Sequence, residues 1–198
     1  MTNRYRKMES RIVLVRHSIP SIEGNTPSID WSLSAAGQAA AIELAKYLSG
    51  FRVKEILSSP EKKAHQTAAL IADRLALPVC LDSDLREHGR SKVGYIARTD
   101  FEAGITGLLQ HPHQLTFGDE SADEVFNRLD QAVARARRAQ PSGDLMIVTH
   151  GTAMSIYAAR VLRVDPLAFW RSLSMPTAVV LNGNEMKVID VPDTPAGR

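Results

Sequence analysis

A chain of 198 residues with 44% hydrophobic side chains can bury one substantial core, and by the usual length prior it reads as a single domain spanning 1–198. Lysine and arginine total 24 against 22 aspartates and glutamates, a formal charge of +2 that marks no surface as a binder of nucleic acid or of a membrane. The longest apolar runs, among them Ile12 to Val15 and Ala178 to Leu181, are four or five residues, far short of the roughly 20 needed to cross a bilayer.

The first ten residues, MTNRYRKMES, are basic but lead into no apolar h-region, so they do not read as a secretory signal and the mature chain is expected to start here. Cys80 is the single cysteine. It can form no internal disulfide, it excludes thiolate zinc sites, and inside the apolar run Pro78 to Leu81 it is expected to pack as a small core residue in a reducing, cytoplasmic setting. Nothing repeats with a period of roughly 20 to 50 residues. Residues 1–9 and the tail VPDTPAGR are expected to be loose.

Short runs rich in β-branched residues alternate with longer stretches at helical spacing, which predicts an α/β fold: three layers, a mostly parallel sheet with helices on both faces, and a small irregular or helical cap over the carboxyl ends of the strands. Arg11 to Arg16, RIVLVR, predicts a first strand buried on both faces. After a loop through Pro20, Gly24 and Pro27, Ser34 is placed to cap a helix whose apolar positions Ala41, Ile42, Leu44, Ala45 and Leu48 recur at three and four, with Gly50 at C′. A second strand is expected at about Glu55 to Ser58. Ser59 as cap and Pro60 as first residue then open a helix traced by Ala64, Thr67, Ala68, Ile71 and Leu75. The third strand is about Val79 to Asp82.

From 83 to 120 the pattern weakens, and the cap is placed there. Ser121 and Glu124 form a capping box for a helix buried through Val125, Leu129, Ala132, Val133 and Ala136. Its basic end, Arg135, Arg137 and Arg138, is read as cations favoured by the helix dipole rather than as a nucleic-acid patch. A strand Asp144 to Thr149, a helix from Gly151 to Arg163, a short helix begun by Asp165-Pro166 and a hairpin around Asn182-Gly183-Asn184 complete the chain.

His17 and His150 each follow an apolar strand directly, in Val-Arg-His and Val-Thr-His. Ligands of open α/β sheets bind beyond the carboxyl ends of the strands, so both imidazoles are delivered to the side where sites are built, where they can face each other. The helix predicted from Gly151 offers free N–H groups that favour an anion, which points to phosphate. Arg16, Lys63 and Arg86-Glu87 stand at matching strand ends. Cations, two imidazoles and one carboxylate suit phosphoryl transfer without any metal or other cofactor, since that chemistry is largely positioning and charge neutralisation. A lone histidine after a strand is more often a cap or core hydrogen-bonder; two at corresponding ends, with cations, shift the balance.

LVRHS, SSPEKKAHQTA, LREHG, GDES followed by Arg128, and IVTHG, in that order across residues 12 to about 160, resemble the signature blocks of the histidine phosphatase superfamily, the phosphoglycerate mutase-like branch. The resemblance implies that His17 is the nucleophile that becomes phosphorylated, that Arg16 beside it binds phosphoryl oxygens, and that His150 stabilises the transferring group. It implies that Glu87 protonates the leaving alkoxide and then activates water, work that calls for a raised carboxyl pKa. A neutral His17 is needed for attack, and surrounding positive charge favours it. Glu120 and Ser121 match a block that opens a helix in these enzymes, with a capping role at least as plain as a catalytic one.

This chain departs from the family pattern at three places. The usual Arg-His-Gly becomes Arg16-His17-Ser18, which puts a side chain, or a hydrogen-bond donor, close to the phosphate. The second arginine is Lys63, a point charge without the bidentate fork, which implies weaker or slower phosphate handling. The loop asparagine expected six residues after the nucleophile is Glu23, and Asn25 replaces it only if the loop is two residues longer. Substrate binding is thus assigned to Arg16, Ser18, Asn25, Lys63 and Gly151. His65, His88 and the pair His111 and His113 are not read as metal ligands, and Trp31 and Trp170 are read as core or rim packing.

The leading expectation is a metal-independent phosphomonoesterase acting on a small phosphorylated molecule, with a phosphoprotein the other class of partner. The modest length favours hydrolysis over a mutase-type phosphotransferase. The rival is a phosphate-binding or regulatory module that keeps the pocket without turnover. A nucleotide-binding protein lacks both a Gly-x-x-x-x-Gly-Lys loop and a Gly-x-Gly-x-x-Gly turn.

Overall fold

The computed structural model describes residues 10–24, 26–91, 93 and 96–192. The strands are β1 (Ile12–Arg16), β2 (Ile56–Ser58), β3 (Val79–Leu81), β4 (Leu145–Thr149), β5 (Thr177–Asn182) and β6 (Glu185–Asp190). They form one sheet in the order β3-β2-β4-β1-β5-β6. The first four pair in parallel, while β5 and β6 are antiparallel additions.

The helices are α1 (Ala35–Leu48), α2 (Lys62–Leu75), α3 (Arg98–Gln110), α4 (Ala122–Ala139), α5 (Gly151–Leu162) and α6 (Pro166–Ser172). Alternation along the strands divides the core in two. Val13, Val15, Met146, Val148, Ala178 and Val180 face Leu44, Leu48, Ala68 and Ile71 of α1 and α2. Leu14, Ile147, Val179 and Leu181 face Ile105, Val125, Leu129, Met154 and Phe169 of α3 to α6. A run apolar at every position, such as Ile12 to Val15, is what burial on both faces requires.

Local chemistry sets several boundaries. Ser34 caps α1 by accepting the Gly37 amide, and the capping box of Ser121 with Glu124 opens α4. Asp165 caps α6 with Pro166 in its first turn. Gly183, at a φ of +59°, makes the turn between β5 and β6. Asp144 accepts the amides of Arg11 and Arg52 and a two-nitrogen grip from the Arg11 guanidinium, tying the starts of β1 and β4 together.

Three local readings are corrected. Gly50 does stand at C′, directly after the Ser49 cap of α1, but it does not take the left-handed conformation usual for a glycine there. Ser59 does not cap α2, which starts after Glu61; the Ser59 hydroxyl is turned to His150 instead. Cys80 is exposed rather than packed in the core, because β3 is an edge strand, and its thiol donates to Glu55. Residues 1–9 and 193–198 lie outside the described residues. The stretch from 83 to 120 carries a 3-10 turn (Ser83–Leu85) and α3. No helix among the described residues is long and apolar enough to cross a membrane.

The basic end of α4 is used inside the fold. Arg135 pairs with Asp82 and Asp84, and Arg137 donates to the carbonyls of Gly143 and Arg11.

Candidate active site

β1 and β4 are adjacent and parallel, with Arg16 opposite Thr149, so their carboxyl ends open side by side. The His17 amide donates to the Thr149 carbonyl at 2.9 Å, extending the ladder by one bond. The chain leaves β4 at His150 and turns at once into α5. The two imidazoles therefore meet, with ring centroids 5.1 Å apart and planes at 63°. Both are buried.

The backbone chooses the tautomer of His17. Its Nδ1 lies 2.8 Å from the Ser18 carbonyl oxygen, which can only accept, so Nδ1 carries the proton and Nε2 holds the lone pair. Burial, then His150, Lys63 and Arg16, push its pKa well below the ordinary value despite the opposing Ser18 hydrogen bond. His150 is likewise held well below its usual value by burial, against the attraction of Glu87. Both rings are neutral at neutral pH.

Ser18 fits where a glycine was expected because its φ is not in the left-handed region. Its hydroxyl donates to the Gly37 carbonyl at 2.6 Å, and its amide donates to Thr67 Oγ1 at 2.9 Å. The side chain is thus spent on packing α1 against the turn. Gly37 is required there, since a Cβ would lie 2.1 Å from the Ile19 carbonyl oxygen.

Arg16 lies across the start of α5. Its Nη1 donates to the carbonyls of Leu173 and Ser174, while Nε is buried without a partner among the described residues. Burial lowers its pKa to about 10, with the Glu87 charge opposing. A Cβ on Gly151 would stand 3.0 Å from that Nε, so the glycine makes room for the guanidinium.

Glu87 changes the expected use of the α5 N-terminus. Its Oε1 accepts the Ala153 amide at 3.0 Å and its own neighbour's, His88, at 2.9 Å, while Oε2 accepts the Thr152 amide at 3.3 Å. The helix end expected to receive phosphate is thus occupied by a carboxylate of the chain itself. Burial pushes this carboxyl up, but Arg90, His150 and those amides outweigh it and hold the pKa well below the carboxylate range. The raised pKa expected of a proton donor is therefore not the resting state.

Lys63 is buried, and it is already engaged: Nζ donates to Glu61 Oε2 and to the Ser28 carbonyl, each at 2.7 Å. Glu61, absent from the sequence-based assignment, ties the site together. Its Oε1 accepts the Glu87 amide at 2.8 Å and lies 3.6 Å from His150 Nε2. Ser59 Oγ, 2.8 Å from the same nitrogen, is the other missed neighbour. The signal for Glu61 was a charged residue at the carboxyl end of a buried strand.

The loop carrying Glu87 is held by Arg128, which donates to the carbonyls of Asp84, Arg86 and Glu87 and pairs with Glu120. Glu120 also accepts the Gly89 amide and pairs with Arg86, while Ser121 is taken up in the capping box. Both residues therefore organise the cap rather than face the imidazoles. His88 donates Nε2–H to the Glu120 carbonyl and stacks on Phe117. His65, His111 and His113 are exposed, and Asn25 lies outside the described residues. Trp31 donates to the Thr26 carbonyl within its loop, and Trp170 packs in the core beside Phe101. No group of three or more His, Cys, Asp or Glu among the described residues is arranged to hold a metal ion.

The family model of the histidine phosphatase superfamily (branch 1) matches residues 12–183. Phosphoserine phosphatase 1 of Hydrogenobacter thermophilus is 28% identical over 170 residues, covering 81% of this chain and 80% of that protein. An uncharacterized phosphatase of Bacillus subtilis is 26% identical over 137 residues, covering 69% and 68%. In fold, the chain is similar to mycobacterial glucosyl-3-phosphoglycerate phosphatase, with a TM-score of 0.73 at 20% identity over 91% of this chain and 97% of that one. It is similar also to a phosphoserine phosphatase mutant of Entamoeba histolytica in complex with phosphoserine, with a TM-score of 0.71 at 17% identity over 96% and 100%. The chain therefore belongs to the histidine phosphatase superfamily (branch 1), as an enzyme of the phosphatase class.

Proposed function

We propose that this chain is a phosphomonoesterase that transfers the phosphoryl group of a small ester to His17 Nε2 and then to water. The observation that carries this reading is the Nδ1–H bond from His17 to the Ser18 carbonyl, which leaves the Nε2 lone pair beside His150, with the charges of Lys63 and Arg16 acting on the same ring.

In the first step that lone pair forms a bond to phosphorus as the ester oxygen departs. Arg16 Nε–H and the free third donor of Lys63 neutralise the equatorial oxygens, so the step requires no metal ion. The Ser59 hydroxyl, which already accepts the Glu61 amide, donates to His150 Nε2, so the His150 proton sits on Nδ1 and is offered to the phosphoryl group.

Glu87 supplies the proton to the leaving alkoxide. It is ionised at rest, but an arriving phosphate brings negative charge beside it and raises its proton affinity, so the acid form appears with substrate. Once the alcohol has left, the same carboxylate takes a proton from water, water attacks phosphorus, and the N–P bond breaks to restore neutral His17 and release inorganic phosphate.

The test is hydrolysis of an aryl phosphate with chelator present, comparing wild type with His17→Ala. Loss of activity in the variant alone supports the reading, and equal rates dispose of the proposed nucleophile. A second reading, a pocket that binds phosphate without turnover, is favoured by the Glu61–Lys63 pair, which keeps one cation of the site neutralised. Under it, wild type gains stability from inorganic phosphate and hydrolyses nothing.

A further inference from the structure

Three residues form one row across the sheet. Arg16 of β1 stands opposite Thr177 of β5, and Thr177 stands opposite Asp190 of β6. Opposed residues of antiparallel neighbours point to the same face, so Arg16 and Asp190 emerge on one side of the sheet, two ladder steps or about 10 Å apart. The segment between α6 and β5 joins them. Arg16 holds it from one side, with Nη1 donating to the Leu173 carbonyl at 2.7 Å and to the Ser174 carbonyl at 3.1 Å. Asp190 holds it from the other, where Oδ1 accepts the Ser174 hydroxyl.

These bonds decide which edge of Arg16 is left for a ligand. A guanidinium carries five N–H donors, and the two carbonyls take both of those on Nη1. Nε is buried without a partner, and Nη2 bonds to nothing among the described residues. Nε–H and one Nη2–H run parallel, which is the fork that takes two oxygens of one phosphate. Gly151 leaves this edge uncovered, since a Cβ there would lie 3.0 Å from Nε and 3.4 Å from Nη2. Leu173 is anchored by its buried side chain. Ser174, the next residue, is anchored by its bond to Asp190. The Pro176 carbonyl, 3.3 Å from the same hydroxyl, lies within the segment and cannot fix it to the sheet.

We propose that Ser174 and Asp190 are positioning residues for the phosphate: they fix the carbonyls that clamp Nη1, so that the Nε–Nη2 edge of Arg16 meets two phosphoryl oxygens together. Both act through Arg16, and neither touches the substrate. With the clamp loosened, the fork becomes one orientation among several. That costs affinity, and it costs rate as well, because the fork is aimed at oxygens whose charge must be stabilised during transfer. This inference rests on the reading above, in which Arg16 receives the phosphoryl oxygens.

The experiment measures kcat/KM for p-nitrophenyl phosphate in Ser174→Ala, Asp190→Ala and Asp190→Asn, and again for Ser174→Ala in an Arg16→Lys background, where there is no fork to aim. Ser174→Ala and Asp190→Ala are each expected to lower kcat/KM by about five- to twentyfold. Asp190→Asn, which keeps an acceptor oxygen, is expected to restore most of it. In the Arg16→Lys background, Ser174→Ala is expected to change kcat/KM by less than about twofold. Wild-type kinetics in Ser174→Ala, no difference between Asp190→Asn and Asp190→Ala, or a full loss in the Arg16→Lys background would overturn the proposal. Should Ser174→Ala not fold, Asp190→Ala, at an exposed position, takes its place in the same cycle. If wild type hydrolyses no ester, the catalytic reading fails by itself, and the same variants are titrated with inorganic phosphate by calorimetry. Weaker binding in Ser174→Ala, with no such effect in the Arg16→Lys background, then supports the clamp. No binding to wild type, or equal binding to wild type and Ser174→Ala, rejects it.

Discussion

Glu87 Oε1 accepts the amide of Ala153 at 3.0 Å, across 66 residues of sequence. This one bond places the carboxylate at the positive end of α5, next to His150, and couples its charge to whatever enters the cleft. If Glu87 is the acid for the leaving group, Glu87→Gln lowers kcat/KM for an alkyl phosphate by about 10²- to 10⁴-fold. The loss is much smaller for p-nitrophenyl phosphate, whose leaving group needs no proton. Equal losses on both esters would assign Glu87 a purely structural part.

The two imidazoles make stability depend on pH. Burial first, then nearby charge, holds both below their ordinary values in the folded state. As pH falls, the unfolded chain therefore takes up protons that the folded one refuses. Stability from these groups is fully present above about pH 6.5 and is lost below it, at up to about 1.4 kcal/mol per pH unit for each ring. Urea unfolding between pH 7.5 and 5 checks this, and His150→Asn is expected to reduce the slope. A flat profile would contradict the burial of neutral rings.

Glu61 and Lys63 are a buried pair, 2.7 Å apart. Glu61→Gln leaves the ammonium without its counter-charge, so the unfolding free energy is expected to fall by about 1–3 kcal/mol. The same change exposes the Lys63 charge to the ligand, so inorganic phosphate is expected to bind more tightly, by about two- to tenfold. Calorimetric titration reads the affinity and denaturant unfolding reads the stability. Weaker phosphate binding in a folded variant would show that Glu61 helps the anion rather than competing with it for Lys63.

Gly151 sits in the first turn of α5, where alanine is a better helix former, yet a Cβ there would crowd Arg16 Nε at 3.0 Å. Gly151→Ala is therefore expected to leave Tm within a few degrees of wild type. Its kcat/KM is expected to fall by about tenfold through a displaced guanidinium. Unchanged kinetics would mean that the Arg16 position is not critical.

The parts of this molecule legible in the sequence are those set by local chemistry. The buried runs of β1 and β4, the Ser34 cap and the Ser121–Glu124 capping box follow from side-chain type and spacing, and His17 and His150 follow from their places after buried strands. What escaped depends on which elements become neighbours. Cys80 is exposed because β3 lies at the sheet edge, and no property of its own run reveals that. Glu61 matters because the end of β2 meets the start of α5, and Glu87 fills the helix terminus from a loop far away in sequence. Ser174 is bonded to Asp190 because β6 folds back along β5.

The central claim is that the phosphoryl group rests on His17 Nε2 between transfer from the ester and release to water. Rapid quenching with a radioactive phosphate ester, followed by peptide mapping, tests it most directly. The account predicts an acid-labile, alkali-stable label on the peptide containing His17, absent in His17→Ala and longer-lived in Glu87→Gln. Steady turnover with no such label, or a label on another residue, would contradict it.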